Sequence, residues 1–320
     1  MKILITGSAG FIGFNLANAL LKKNHLVYGI DNFDNYYSKK FKIERNKILK
    51  KFKNFKFDKI DITKKQELNK YFKNKNFEAV FHFAAQAGVL YSVKNPNKYK
   101  KVNIEGFKNL LENLKNEDIK KIYYASSSSV YGDHKKFPLK ENLILKPKNI
   151  YAISKVKNEQ LANKYPNKKT FICGLRFFTV YGEWGRPDMF IFKLLNSYKK
   201  NKIFLLNNSG NHYRDFTYIN DVVKILIKLL HVKKFNHKVI NICSSRPIKI
   251  KSIINFFIKK YNFSKIVNVK KNKIEVIKTF GSNHNINKIV KFKRYTNFYR
   301  GLNNTIKWYL NNKIFKYSFL

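Results

Sequence analysis

The feature that most restricts the fold of this chain is a glycine-rich turn between a short apolar run and a helical pattern. Residues 2–6 read Lys-Ile-Leu-Ile-Thr, which is short enough for a buried strand, and an apolar pattern with helical spacing continues to Leu20. Glycines in such a turn let a pyrophosphate rest on the amino end of the helix, although the spacing here is GxxGxxG rather than GxGxxG. The sequence therefore predicts a dinucleotide site that includes Gly7, Gly10, Phe11, Ile12 and Gly13.

An acidic residue follows the next strand pattern and indicates which dinucleotide is bound. A second apolar run covers residues 26–30 and ends at Asp31. A carboxylate at this place bonds the adenosine ribose hydroxyls and repels a 2′-phosphate, so the sequence predicts NAD rather than NADP. The alternative is that Asp31 is an ordinary loop acid, which the surrounding strand, turn and helix make the less favoured interpretation.

A tyrosine and a lysine four residues apart, Tyr151 and Lys155, follow a serine run at 126–129. On a helix they share one face, so the ammonium can face both the phenol and a bound cofactor. A nearby cation lowers the pKa of a phenol from its ordinary value of about 10, as a general base at neutral pH requires. The pair also occurs by chance in a chain rich in Lys and Tyr, so only its combination with the glycine turn is specific.

Length and composition place the chain among globular proteins. Its 320 residues, 44% of them hydrophobic, suffice for one large α/β domain with a smaller lobe. No apolar stretch is long enough for a membrane span and no signal-peptide core precedes the glycine turn, so we expect a cytoplasmic protein with no membrane partner. Cys173 and Cys243 lie in apolar runs and are expected to be reduced core residues. No histidine pairing suits a metal, and we expect no metal.

The net charge of +47 would suit a nucleic-acid partner, but its distribution does not. The lysines occur in nearly every segment, and Asn, Ile, Phe and Tyr, which share A/T-rich codons with Lys, are also abundant. A genome-wide base bias explains the charge more simply than a polyanion does. We therefore expect no nucleic-acid partner, and a basic binding protein on an inactive dehydrogenase scaffold stays a remote alternative.

The arginines are informative because they are rare. Only seven of the 66 basic residues are arginine. In such a chain an arginine suits a place that needs a planar fork for carboxylate or phosphate. Arg186 and Arg214 lie in turn-rich surroundings and are candidate ligand-binding residues, whereas Arg176, near a strand end, is expected to form a structural ion pair.

The order of periodic segments indicates a Rossmann-type α/β fold, that is, a doubly wound parallel sheet with a smaller C-terminal α/β substrate-binding lobe. Strands are predicted near 3–6, 26–30, 55–60, 79–83, 121–125, 170–175 and 238–242. Helices are predicted near 10–23, 39–50, 66–74, 97–115, 151–164, 220–231 and 252–260. The predicted NAD-binding domain is 1–176 plus about 212–245, and the nucleotide-sugar lobe is 177–211 and 246–320.

Taken together, these motifs resemble an extended short-chain dehydrogenase/reductase of the NAD-dependent nucleotide-sugar epimerases, and most closely the UDP-glucuronate 4-epimerases. The matching segments run in the family's order from residue 3 to about 250, and the resemblance weakens beyond. They are 7–15 with 31–32, 61–62, 82–89, 103, 125–132, 151–155, 174–189, 214–218 and 241 with 246–247.

The resemblance implies a role for each site residue. Tyr151 would be the general base for the sugar 4-hydroxyl, Lys155 would bond the nicotinamide ribose, and Ser127 would bond the reacting oxygen. A transient 4-keto sugar would then accept hydride on its other face, which regenerates NAD. Further cofactor contacts would come from Asp31, Asn32, Asp61, Ile62, Phe83, Ala84, Ala85 and Asn103. Substrate contacts would come from Ser127, Ser128, Ser129, Thr179, Arg186 and Arg214.

Comparison with sister enzymes narrows the implied substrate. Related 4,6-dehydratases carry Thr-Asp-Glu where this chain has Ser127 to Ser129, and related decarboxylases carry Glu at the place of Ser129. UDP-glucose 4-epimerases usually carry Asn at the place of Thr179. Thr179 and Arg186 suit a C6 carboxylate, which makes UDP-glucuronate the favoured substrate and UDP-galacturonate the product. A 4-epimerase of UDP-glucose or of a UDP-N-acetylhexosamine stays the alternative. Relatives pair through helices corresponding to 97–115 and 151–164, which implies a homodimer.

Overall fold

The computed structural model describes residues 1–115, 118–167, 169–233, 235, 237–270, 276–312 and 314. Within them the strands are β1 (Lys2–Thr6), β2 (Leu26–Asp31), β3 (Phe55–Lys59), β4 (Ala79–His82), β5 (Lys121–Ser127), β6 (Phe171–Phe177), β7 (Thr179–Tyr181), β8 (Phe204–Asn207), β9 (Tyr213–Tyr218), β10 (Val239–Ile242), β11 (Pro247–Lys249), β12 (Ile266–Val269) and β13 (Lys278–Thr279). The helices are α1 (Phe11–Leu21), α2 (Lys39–Lys50), α3 (Lys65–Phe72), α4 (Val89–Lys94), α5 (Pro96–Tyr99), α6 (Gly106–Leu114), α7 (Ile150–Asn163), α8 (Phe190–Lys199), α9 (Ile219–His231), α10 (Ile250–Tyr261), α11 (His284–Val290) and α12 (Phe298–Asn311). A π-helical segment, Lys100–Glu105, joins α5 to α6.

The main sheet has seven parallel strands in the order β10-β6-β5-β4-β1-β2-β3. All seven were predicted, β3 from an alternation of phenylalanine with charged residues and the others from apolar runs, and the predicted Rossmann-type fold is confirmed. The runs are continuous because helices cover both faces of the sheet, so successive side chains on a strand are buried on opposite sides. On β1, Ile3 and Ile5 pack into the cluster that also holds side chains of α1, α2 and α9. Leu4 packs into the opposite cluster, with side chains of α3, α6 and α7.

A smaller lobe lies beyond β6 and is built from short strands. Strand β9 is its centre and pairs with β7, β11 and β13, while β8 and β12 form a separate two-stranded parallel sheet. The sequence-based elements missed these six strands, as well as α4, α8 and α11. Strands of two to six residues carry too few alternations to stand out from a loop.

The single helix predicted over 97–115 is built from α5, the π-helical segment and α6, and its last part ends within the described residues at Leu114. Among the helices that the structure describes, none combines the length and the apolar character needed to cross a bilayer.

Candidate active site

One large cavity opens at the carboxyl ends of the main-sheet strands, where strand order reverses between β1 and β4. Parallel sheets bind ligands at this kind of switch point because the two connections leave in opposite directions. The cavity measures about 810 Å³ and extends from the glycine turn to the smaller lobe. All but two of the predicted site residues line it: Gly7, Gly10, Phe11, Ile12, Gly13, Asp31, Asn32, Ile62, Phe83, Ala84, Ala85, Ser127, Ser128, Ser129, Tyr151, Lys155, Thr179, Arg186 and Arg214.

The glycine turn has the geometry of a dinucleotide cradle. Gly7 has a φ of +72°, and a Cβ there would lie 2.6 Å from the amide nitrogen of Ala84. A Cβ on Gly10 would lie 2.9 Å from the carbonyl oxygen of Gly7, and one on Gly13 would overlap that same oxygen. Only glycine fits these three positions without moving the backbone, and the turn leads directly into α1 at Phe11. The residues present therefore fit a pyrophosphate at the amino end of the helix.

Asp31 ends β2 at the wall of the cavity. Its carboxylate accepts backbone N–H bonds from Ala9 at 3.1 Å and from Phe33 at 2.8 Å. Burial raises the pKa of Asp31, and Lys42 together with the two N–H donors opposes that rise. The carboxylate is thus held between the glycine turn and the loop after β2, which is where an adenosine ribose would meet it.

The two predicted cofactor residues that do not line the cavity support its walls. Asp61 accepts hydrogen bonds from Asn32 Nδ2 at 3.0 Å and from the Thr63 amide at 2.9 Å. The Asn103 side chain is fully buried behind the cavity wall, and its contact with the cofactor stays a prediction. Its amide group bonds the backbone of Gln86 twice, at 2.7 and 3.0 Å, and Ser154 Oγ at 2.9 Å. Asn103 therefore ties the loop after β4 to α7.

The predicted catalytic residues meet at the carboxyl end of β5. Asn149 caps α7 by accepting from the Ala152 amide at 2.9 Å, which places Tyr151 in the first turn. The Tyr151 hydroxyl hydrogen-bonds the side chain of Ser127, the last residue of β5. One turn along α7, Lys155 Nζ lies 5.9 Å from the centre of the Tyr151 ring and donates to the Ala125 carbonyl at 2.8 Å. The three groups therefore face one point of the cavity.

Burial dominates the electrostatics of Tyr151. Burial raises the pKa of Tyr151, while the Ser127 hydrogen bond and the charge of Arg186 lower it in part. Desolvation of the phenolate therefore sets the direction of the shift, and the effect of Lys155 on the pKa of Tyr151 stays a prediction. Burial also lowers the pKa of Lys155, to about 8.

Arg186 enters the cavity from the turn that follows β7. Its Nε and Nη2 donate to the two carboxylate oxygens of Asp188, at 3.0 and 2.5 Å, and Tyr36 donates to the same carboxylate at 2.9 Å. Although burial alone would raise it, the pKa of Asp188 is held below its ordinary value by Arg186. Arg186 is thus both a partner in an ion pair and a cation at the cavity wall. Arg214 lines the wall on β9, and its Nη1 donates to the carbonyls of Tyr213 and Ile277 at 2.9 and 3.0 Å.

Arg176 takes the structural role predicted for it. Its Nη2 lies 2.7 Å from Glu159 Oε2, and both side chains are buried. Glu159 also accepts from Ser126 Oγ at 2.6 Å. The ion pair therefore fixes α7 against β6, and the Ser126 bond fixes α7 against β5 at the residue before Ser127.

The sequence reasoning missed several cavity residues. Lys42 lies beside Asp31, and Tyr36 lies beside Arg186. Lys193 and His212 line the part of the cavity in the smaller lobe. A lysine gives no signal in a chain with this composition, and the rare arginines were the better markers. In the part of the chain that the structure describes, no group of three or more His, Cys, Asp or Glu side chains is arranged to hold a metal ion.

Known proteins share both the motifs and the fold. The model of the NAD dependent epimerase/dehydratase family matches residues 3–243. A UDP-glucuronate 4-epimerase of Thermodesulfobacterium geofontis is 36% identical, covering 97% of this chain and 96% of the relative. UDP-glucuronate 4-epimerase 4 of Arabidopsis thaliana is 34% identical over 97% of this chain and 76% of its own length.

A solved structure agrees with these sequence matches. The UDP-glucuronic acid 4-epimerase of Bacillus cereus, in complex with UDP-glucuronic acid and NAD, superposes with a TM-score of 0.90 at 32% identity, covering 96% of this chain and 98% of the other. The matched family model spans the glycine turn, the serine run and the Tyr151–Lys155 pair. This chain belongs to the NAD-dependent epimerase/dehydratase family, as its motifs predicted.

Proposed function

We propose that this protein is an NAD-dependent 4-epimerase that converts UDP-glucuronate to UDP-galacturonate. The observation that carries the proposal is the position of Arg186, whose guanidinium lines the same cavity as Tyr151 and lies close enough to lower the pKa of its phenol. A sugar that presents its 4-hydroxyl to Tyr151 can then present its C6 carboxylate to Arg186. The relatives described above are all named as epimerases of this substrate.

Tyr151 is the general base in this proposal. Its hydroxyl oxygen takes the proton of the sugar 4-hydroxyl and returns it after the sugar has turned over. Burial opposes the phenolate, while the Ser127 hydrogen bond and the positive charge of Arg186 favour it. In this proposal Ser127, whose side chain is next to the Tyr151 hydroxyl, also bonds the reacting oxygen at C4.

Lys155 holds the cofactor side of the site. With a pKa of about 8 its ammonium is mostly charged at neutral pH. One of its three N–H groups bonds the Ala125 carbonyl, which leaves two donors for the nicotinamide ribose. When bound, NAD would supply a nicotinamide able to accept hydride from C4 and to return it, so that no net oxidation would result. The glycine turn, Asp31 and Lys155 are the residues that would hold it.

Thr179 and Arg186 set the preference for an acidic sugar. A hydroxyl and a guanidinium form charge-assisted hydrogen bonds with a carboxylate, and these are stronger than bonds between neutral groups. Clamping the carboxylate also discourages its loss as carbon dioxide from the 4-keto intermediate. Arg214, with the wall of the smaller lobe, is assigned to the diphosphate, for which a guanidinium is well suited.

The direct test is to incubate the NAD-loaded protein with UDP-glucuronate, without added reductant, and to resolve the nucleotide sugars by chromatography. Formation of UDP-galacturonate supports the proposal, and the Tyr151→Phe variant is the matched control that should form none. Unchanged UDP-glucuronate together with conversion of UDP-glucose or a UDP-N-acetylhexosamine would assign the enzyme to a neutral sugar. Conversion of none of these, with salt-sensitive retention on RNA, would favour the basic binding protein.

We also propose that the protein forms a homodimer through the face made by α6 and α7. In support, Ile150 and Ile153 on α7 are more than a third exposed, as are Leu90 and Val93 on the neighbouring α4. Light scattering should give twice the mass of one chain, and Ile153→Asp should lower it to the mass of one chain.

We divide the chain into an NAD-binding domain, 1–176 plus 219–245, and a nucleotide-sugar lobe formed by the rest. The second boundary moves from 212 to 219 because β9 pairs within the small sheet. A cytoplasmic location is supported by Cys173 and Cys243, which are both buried and free. Cell fractionation tests it.

A further inference from the structure

A buried arginine that is not among the predicted site residues connects two parts of the site, the glycine turn and the segment before Arg186. Arg45 lies on α2 and is fully buried. Its Nη1 donates to the Ala9 carbonyl at 2.9 Å and to the Tyr37 hydroxyl at 2.7 Å. Its Nη2 donates to the carbonyl of Trp184 and, at 3.4 Å, to that of Gly185. One guanidinium therefore bonds segments that are more than a hundred residues apart in the sequence.

Both ends of this bridge lie beside functional groups. Ala9 belongs to the glycine turn and donates its own amide to Asp31. Trp184 and Gly185 directly precede Arg186 in the chain. A displacement of the Trp184–Gly185 carbonyls would therefore move the backbone from which the Arg186 side chain extends.

The turn at Trp184 needs such support. Trp184 has a φ of +59°, a conformation that bulky residues adopt only where the surrounding structure holds them. Its ring packs against the rings of Phe14 and Phe41, with 5.3 Å between ring centres in each pair. The central carbon of the Arg45 guanidinium lies over the Phe41 ring, 4.4 Å from the ring centre. Packing holds the indole, and Arg45 holds the carbonyls.

The chemistry of the position requires arginine. The acceptors lie in two separate groups, Ala9 with Tyr37 and Trp184 with Gly185, and each group is met by a different terminal nitrogen. A planar fork reaches both at once, whereas a lysine ammonium is a single point charge. The rarity of arginine in this lysine-rich chain agrees with such a requirement.

We propose that Arg45 is a positioning residue that holds Arg186 in register with the pyrophosphate turn and thereby sets the selectivity for an acidic UDP-sugar over a neutral one. The selectivity part rests on the proposed function of Arg186. The mechanical part, that Arg45 holds the turn, stands on the hydrogen bonds alone.

The test of selectivity is calorimetric titration of the NAD-loaded protein with UDP, UDP-glucose and UDP-glucuronate. Arg45→Lys keeps the charge and loses the fork, and Arg294→Lys is the matched control because that arginine is exposed. The expected result is about tenfold weaker binding of UDP-glucuronate in Arg45→Lys, with less than about twofold change for UDP and UDP-glucose. Equal weakening for all three ligands, or no weakening, would overturn the selectivity role.

A second measurement separates this inference from the proposed function. Amide hydrogen exchange of residues 183–186 should become at least about tenfold faster in Arg45→Lys and stay unchanged in Arg294→Lys. If wild type binds UDP-glucuronate no better than UDP-glucose, the proposed substrate fails, and the exchange result still decides whether Arg45 holds the turn. Unchanged exchange would overturn that role. Should Arg45→Lys fail to fold, Tyr37→Phe removes one partner of the guanidinium and should shift exchange and selectivity in the same direction; no shift in either would count against the proposal.

Discussion

Asp188 holds the guanidinium of Arg186 by two hydrogen bonds, from Nε at 3.0 Å and from Nη2 at 2.5 Å. Tyr36, from the loop after β2, donates to the same carboxylate at 2.9 Å. A substrate carboxylate that approaches from the cavity therefore meets Nη1 or displaces Asp188. The pair keeps a positive charge in place beside Tyr151, which a flexible arginine would not do as well.

Replacing Arg186 should separate acidic from neutral substrates. We expect Arg186→Met to lower kcat/KM for UDP-glucuronate by about 100-fold, because charge-assisted hydrogen bonds to the carboxylate are lost. Binding of UDP alone should change by less than about twofold. Steady-state kinetics and UDP titration measure the two effects, with the exposed Arg300→Met as control. Full activity in Arg186→Met would remove the uronate assignment.

The pH dependence of the reaction should report the two contacts of Tyr151. The Ser127 hydrogen bond and the Arg186 charge both lower the pKa of Tyr151. The base is active when deprotonated, so removing either contact raises the pKa and moves the rising limb of the kcat profile to higher pH. Ser127→Ala and Arg186→Met should each show this shift in pH–rate profiles. A limb that stays in place in both variants would mean that another group is the base.

The buried ion pair of Arg176 and Glu159 should dominate the local stability near the site. Glu159→Gln leaves a buried guanidinium without its counter-charge, and we expect a loss of about 3–5 kcal/mol in the free energy of unfolding. Glu44→Gln removes the exposed pair with Lys47 and should cost less than about 1 kcal/mol. Urea unfolding of the two variants compares them, and similar losses would contradict the importance of burial.

The glycine turn can be tested by one methyl group. In Gly13→Ala the new Cβ would overlap the Gly7 carbonyl, so the turn must open. We expect NAD binding to weaken by at least about 100-fold, measured by titration, because the amide groups of the turn lose their arrangement around the pyrophosphate. Retained NAD affinity would show that the cofactor does not rest on this turn.

Local patterns in the sequence were sufficient for most of the main fold. Most strands of the main sheet were predicted because they contain short apolar runs, which both buried faces of a parallel sheet require, whereas β3 alternates phenylalanine with charged residues. The glycine turn and the pairing of Tyr151 with Lys155 could also be predicted, because their geometry depends on residues that are close together in the chain. The short strands of the smaller lobe were not predicted, because their pairing partners lie far away in sequence and decide whether they form strands at all.

For the candidate site, too, some features follow from the sequence and others only from the tertiary structure. The sequence by itself determined which residue types reach the cavity, because turns and strand ends place them at one edge of the sheet. Only the tertiary structure decided that Asn103 lies behind the wall, that Asp188 and Tyr36 hold Arg186, and that Arg45 joins the glycine turn to that pair. It also decided that the pKa of Tyr151 is raised. Burial and pairwise electrostatics arise between groups that are distant in the chain, so they exist only once the fold has brought those groups together.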